Sequence, residues 1–171
     1  MRGLPGSGKS TRAAAIAAEA EARALAAGGP PAGAAPGGAP APAPAAAAAV
    51  HSTDSYFIDA SGAYVFNPEL LGVNHGKCYD AYAASLAAGV GTVVLDNTNL
   101  QPWQYEKYVT AAWRRGYRVR EEAVGEFTPD AAAVYAARNT HGVPLDKVLL
   151  MLDQALAGGL GGAAAPAAPR W

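Results

Sequence analysis

Apolar residues in this chain come in short blocks with two different periods, and proline or glycine stands at nearly every change of period. Residues 9–27 are almost all strong helix formers, with Arg12, Glu19, Glu21 and Arg23 on outer faces, which predicts a helix opening at Lys9 and closed by Gly28 and Gly29. Residues 28–49, rich in proline, glycine and alanine, offer too little side-chain area to offset the entropy of ordering and read as a flexible insertion. Order resumes with a short strand at 50–52 and a loop at Asp54. Residues 64–66 look extended, and Asn67 with Pro68 gives a capping side chain followed by proline at the first helical position, starting a helix that runs to about Ala88. Gly89 ends it, and residues 92–95 form a short buried strand that delivers Asp96 at its end. Gln101 and Pro102 open a helix to about Gly116, residues 117–124 alternate as a strand, and Thr128 with Pro129 opens a helix through Arg138. A loop, NTHGVP, precedes a final helix from Leu145 that fades into a Gly/Ala tail. Strand and helix thus alternate, the pattern of parallel strands with crossover helices, in which ligands sit at the carboxyl ends of strands.

Composition changes this picture little. The chain is 51% hydrophobic, but alanine supplies much of that total, so the core should be modest. A length of 171 residues suits one domain. The net charge of -1 gives no global attraction to nucleic acid, so any such contact has to be local. The single cysteine, Cys78, rules out an internal disulfide framework, fits a reducing compartment and reads as a small buried residue in a helix. Proline, glycine or charge interrupts every apolar run before it could span a bilayer, and the first residues do not have the make-up of a signal peptide. The expectation is an intracellular protein, cytoplasmic or nuclear, with no membrane partner; an organelle address is left open should the true start lie upstream.

The chemistry-bearing signal is at the start. Gly3, Leu4, Pro5, Gly6, Ser7, Gly8, Lys9 and Ser10 fit GxxxxGK[ST], a match expected by accident in about one chain of this length in a hundred. In such a loop the glycines turn backbone N–H groups toward phosphate oxygens, and the following helix adds partial positive charge. Lys9 reaches the β and γ phosphates, Ser10 ligates Mg²⁺, and Thr11 joins the loop in holding the nucleotide. Asp96, at the end of a strand, suits a carboxylate that holds Mg²⁺ or its water. Asp54, after another strand, reads equally as a group that orients an attacking hydroxyl and as an Asx turn or helix cap. Arg138 precedes a loop suited to a lid over phosphates, although on spacing alone a cation favourably placed at a helix C-terminus is the better reading. His141 fits a phosphate contact or a turn, and Arg114 with Arg115 fits a solvated helix end.

Five stretches, RGLPGSGKST, STDSYF, GAYVFNPELL, VVLDNTNLQPW and ARNTHGVP, resemble in order and context the P-loop kinases related to bacteriophage polynucleotide kinase, in particular kinase-like domains of the Nedd-binding-protein type. The resemblance covers residues 2–153 outside the insertion. It implies a three-layer α/β P-loop kinase fold with a parallel sheet and an arginine-bearing lid. Asp54 then matches the aspartate that deprotonates or orients the acceptor hydroxyl, Arg138 matches the lid arginine, and residues 96–99 match a stretch near the metal and the acceptor. Ser55 departs from the pattern, since the bacteriophage enzyme has a second acidic residue there, which weakens a direct transfer of acceptor specificity. A central strand should also precede Gly3, and Met1 and Arg2 leave no room for it. The expectation is a sheet lacking that strand, with unpaired backbone at the gap, in a chain that starts inside the fold.

These readings together predict a kinase-like domain over residues 1–157 and a flexible tail over 158–171. They predict an ATP- and Mg²⁺-dependent transfer of the γ-phosphoryl group to a hydroxyl. The acceptor suggested by resemblance is the 5′-hydroxyl of a polynucleotide, with a small-molecule hydroxyl as the variant within the class. A nucleotide-binding regulatory module or an inactive fragment is the alternative from another class. No specific protein partner follows from the sequence.

Overall fold

A computed structural model describes residues 1–27 and 46–161. Helix α1 spans Lys9–Ala26, strand β1 Ala48–His51, helix α2 Leu71–Ala87 and strand β2 Thr92–Leu95. Helices α3, Pro102–Trp113, α4, Pro129–Arg138, and α5, Leu145–Ala157, complete the order. The helix starts follow their capping chemistry. Asn67 accepts from the amide of Glu69 in a 3-10 turn, Pro68–Leu70, that leads into α2. Gln104 Oε1 accepts from the Gln101 amide at 2.9 Å at the start of α3, and the Thr128 side chain accepts from the amide of Ala131 at the start of α4.

The architecture is mixed α/β. β1 and β2 pair in parallel, with Ala48 opposite Thr92 and His51 opposite Leu95. Helix α1 lies against both strands, and so does α2, which also packs on α3. Side chains alternate along a strand, so Val93 and Leu95 share one face, where they join Cys78, Tyr82 and Leu86 of α2 and Tyr108, Ala111 and Ala112 of α3. That leaves Val94, also buried, on the face toward α1. A second core gathers Leu4 of the glycine loop, Leu100, Ala132 and Tyr135 of α4, and Val148, Leu152 and Ala155 of α5. Cys78 is buried and unpaired, as expected. Among the described residues no helix is long and apolar enough to cross a membrane.

Three expectations need correction. Residues 117–124 do not form a strand; a single parallel bridge joins Ala123 to Arg2. A strand needs a neighbour along its length, and among the described residues the neighbour is the short stretch 1–3. The Met1 amino group donates to Leu95 O at 2.9 Å, Arg2 N to Glu122 O at 2.8 Å, and Val124 N to Arg2 O at 2.8 Å, so these first residues sit between β2 and residues 122–124. The insertion was drawn too long, because Ala48 and Ala49 belong to β1; pairing with β2 overrides alanine's weak strand preference. The part of that reading on 28–45 lies outside the described residues. The tail was drawn too early, since Leu160 is buried in the second core and Gly158 O accepts from Arg2 at 3.0 Å. The rest of that tail, 162–171, lies outside the described residues.

Candidate functional site

The glycine loop turns over Pro5 and Gly6 and feeds directly into α1. Gly8 occupies the N-cap in a left-handed conformation, with φ of 98°, and no side chain caps the helix, so its first amides stay available to an anion. Ser10 and Thr11 are exposed at that end, while Gly3, Pro5 and Ser7 are buried beneath it. The base of the loop is fixed by Gly3 N donating to Thr98 O at 2.9 Å and by Ser7 N donating to Leu4 O at 3.1 Å. The Lys9 ammonium curls back to donate to Leu4 O at 2.8 Å. Burial holds its pKa below the ordinary lysine value, opposed by the charges of Asp96 and Asp54. Those two carboxylates therefore lie close enough to Lys9 to act on it, which brings together three residues singled out in the sequence.

Asp96 continues the β2 ladder, its amide donating to His51 O at 2.8 Å, and its side chain is buried with Oδ1 unpartnered. Among the described residues, Ser7 Oγ in the glycine loop is likewise buried without a partner. Such orphaned oxygens are rare and expected where a ligand completes the bonding. The three residues after Asp96 act as a crossbeam. Asn97 Oδ1 accepts from Thr53 N at 2.9 Å, Thr98 O accepts from Gly3, and Asn99, at φ 47°, donates through Nδ2 to Met1 O at 2.9 Å. They tie the glycine loop to the loop carrying Asp54.

Asp54 opens a 3-10 turn, Asp54–Phe57, and its side chain is about half exposed. Its neighbour Thr53 is buried, with Oγ1 at 3.1 Å from His75 Nδ1. Burial, with help from Lys107, holds His75 below the usual histidine pKa. Tyr64 Oη donates to Asp54 Oδ1 at 3.4 Å, and burial together with the Asp54 charge pushes that phenol up to about 12. His141 Nε2 lies 3.6 Å from Asp54 Oδ2, and its ring packs on Tyr64 with centroids 4.2 Å apart.

Arg138, at the end of α4, donates from Nε to Gly6 O at 2.7 Å and lies over the Tyr135 ring. The loop after it is braced by Asn139, whose Nδ2 donates to Ala136 O and Val143 O while its Oδ1 accepts from Val143 N. Arg114 and Arg115 lie exposed at the end of α3, away from these contacts. Sequence reasoning missed Tyr64, His75, Tyr135, Asn139 and Arg2. Arg2 spans Asn99 O, Leu100 O, Gly158 O and Glu121, segments far apart in the chain. Only the short sequence distance from Asp54 to Tyr64 offered any signal.

No protein-family model matches the chain. Along 153 residues, 90% of its length, it is 29% identical to human NEDD4-binding protein 2, and that stretch accounts for 7% of the relative. The chain is therefore similar, at a distance, to one small segment of a much longer protein.

Proposed function

We propose that the protein is an ATP-dependent phosphotransferase of P-loop kinase type that moves the γ-phosphoryl group to a hydroxyl. The observation that carries this reading is the buried, unpartnered Asp96 carboxylate oxygen acting on Lys9 at the uncapped start of α1. A nucleotide's magnesium ion typically takes one or two protein oxygens and completes its shell with phosphates and water. Ser10 and Asp96 suit that role, and the loop amides and Lys9 suit the phosphates. When bound, the donor supplies the phosphoryl group, and ADP leaves with the electron pair of the broken phosphorus–oxygen bond.

The protein's own residues do the rest. Lys9 leaves Leu4 O for the phosphate oxygens and spreads their charge. Arg138 exchanges Gly6 O for the same oxygens. Asp54 takes the acceptor's proton as the hydroxyl oxygen bonds to phosphorus. The acceptor we assign is the 5′-hydroxyl of a polynucleotide. The resemblance of the five sequence stretches supports it, and so does a run of rings leading from Asp54: Tyr64, Phe57 and the exposed Phe66, on which a terminal base can stack.

Incubation with labelled ATP, Mg²⁺ and a 5′-hydroxyl oligonucleotide tests the proposal. Label should pass to the oligonucleotide, Lys9→Ala should abolish nucleotide binding, and Asp54→Ala should slow transfer about a hundredfold with binding retained. Nucleotide binding without transfer to an oligonucleotide or any small-molecule hydroxyl, unaffected by Asp54→Ala, would make the protein a nucleotide-binding module instead.

A further inference from the structure

The loop after α4 has two feet. One is Arg138, held on the carbonyl of Gly6 in the donor loop, 132 residues away in sequence. The other is His141, set against the Asp54 carboxylate and packed on Tyr64. Between them Asn139 closes the loop on itself with three hydrogen bonds, which links the two feet through one braced turn. We propose that His141 is a positioning residue for Asp54, through which closure of the 139–143 loop on the donor side and orientation of the acceptor carboxylate become one event. This proposal rests on the kinase reading for its catalytic meaning and on the geometry alone for the contact.

The carboxylate needs such help. Asp54 sits at the start of a short turn, with its side chain about half exposed, where several rotamers are open to it. Tyr64 addresses Oδ1 and His141 addresses Oδ2, one on each side. Both contacts are longer than a strong hydrogen bond, so they fix the plane of the carboxylate while leaving lone pairs free for an incoming hydroxyl. The phenol keeps its proton across the physiological range and stays a donor. His141 Nδ1 is buried without a partner, so a neutral imidazole carries its proton on Nε2, pointing at Asp54.

Two measurements decide the matter. In steady-state transfer, His141→Ala should lower kcat or raise the acceptor KM by about ten- to a hundredfold, leave nucleotide affinity within about twofold, and be partly rescued by His141→Gln, whose amide can donate from a similar place. Equal losses in nucleotide and acceptor parameters, or no loss, would overturn the positioning role. Independently of any activity, carbethoxylation of His141 by diethyl pyrocarbonate, mapped by peptide mass against His51 and His75, should quicken several-fold in Asp54→Asn and in Tyr64→Ala. An unchanged rate in both variants overturns the contact itself. If the unsubstituted protein labels no hydroxyl, the kinase reading falls, and the modification rates still judge the His141 contact.

Discussion

The glycine loop makes different demands on its glycines. Gly6, at φ 77°, sits so close to α4 that an added Cβ would collide with the backbone carbonyl of Tyr135, whereas Gly8, at φ 98°, faces open space. Gly8→Ala should therefore cost only the left-handed strain, about 1 kcal/mol, and Gly6→Ala about 3 kcal/mol, because the loop must part from α4. Urea unfolding midpoints of the two variants check the order. Lys9 presents the opposite case. Its folded pKa lies below the ordinary 10.5, so the unfolded chain binds more protons there, stability rises as pH climbs past the folded value, and at neutral pH the buried ammonium is a net cost. Lys9→Met should raise the stability of the ligand-free protein by about 1 kcal/mol, a Tm increase of about 2–4 °C, while removing nucleotide binding. Calorimetry with and without nucleotide reads both effects.

At the scale of elements, the connection from α4 to α5 depends on one side chain. Asn139→Ala removes three hydrogen bonds, two of them to Val143, and should cost about 2 kcal/mol. Hydrogen exchange at the Val143 amide, which donates to Asn139 Oδ1, should quicken along with it. Helix starts were legible in the sequence because their signals are local: Asn67 with Pro68, Gln101 with Pro102 and Thr128 with Pro129 each announce a start within two residues. The strands were harder. β2 fell where its apolar run predicted, yet the alternating residues 117–124 stayed irregular for want of a neighbour, and Ala48–Ala49 became strand only because β2 lay beside them. The site divides the same way. The glycine loop stands out as residue types at fixed spacing, whereas Asp96 gained its meaning beside that loop and Asp54 from the resemblance of the five stretches. The packing of His141 on Tyr64 and the bond from Thr53 to Asn97, 44 residues on, arise from the tertiary fold and leave no local mark.

For the whole molecule, two partly buried histidines set the response to mild acid. His51, 2.9 Å from Ser85 Oγ, and His75, beside Thr53, both titrate below their ordinary 6.5, chiefly because burial disfavours the charged ring. Between the folded and unfolded values the unfolded chain holds more protons, so stability should fall as pH drops through about 6.5 and level off once the folded rings protonate. Urea midpoints at pH 7.5 and 5.5 should show the loss, and His51→Gln should reduce it. Asp59 and Glu122 shift downward, so their share is lost only in stronger acid, below their ordinary 3.8 and 4.5. The path of α1 carries a separate consequence. Its 18 residues cover about 27 Å, and its far end, at Ala20, Arg23 and Ala24, lines a hollow together with Ala46 and Ala47. Residues 24 and 46 thus meet at one hollow, about a helix length from Lys9. Substitutions around that hollow would leave untouched the distances on which phosphate transfer would depend.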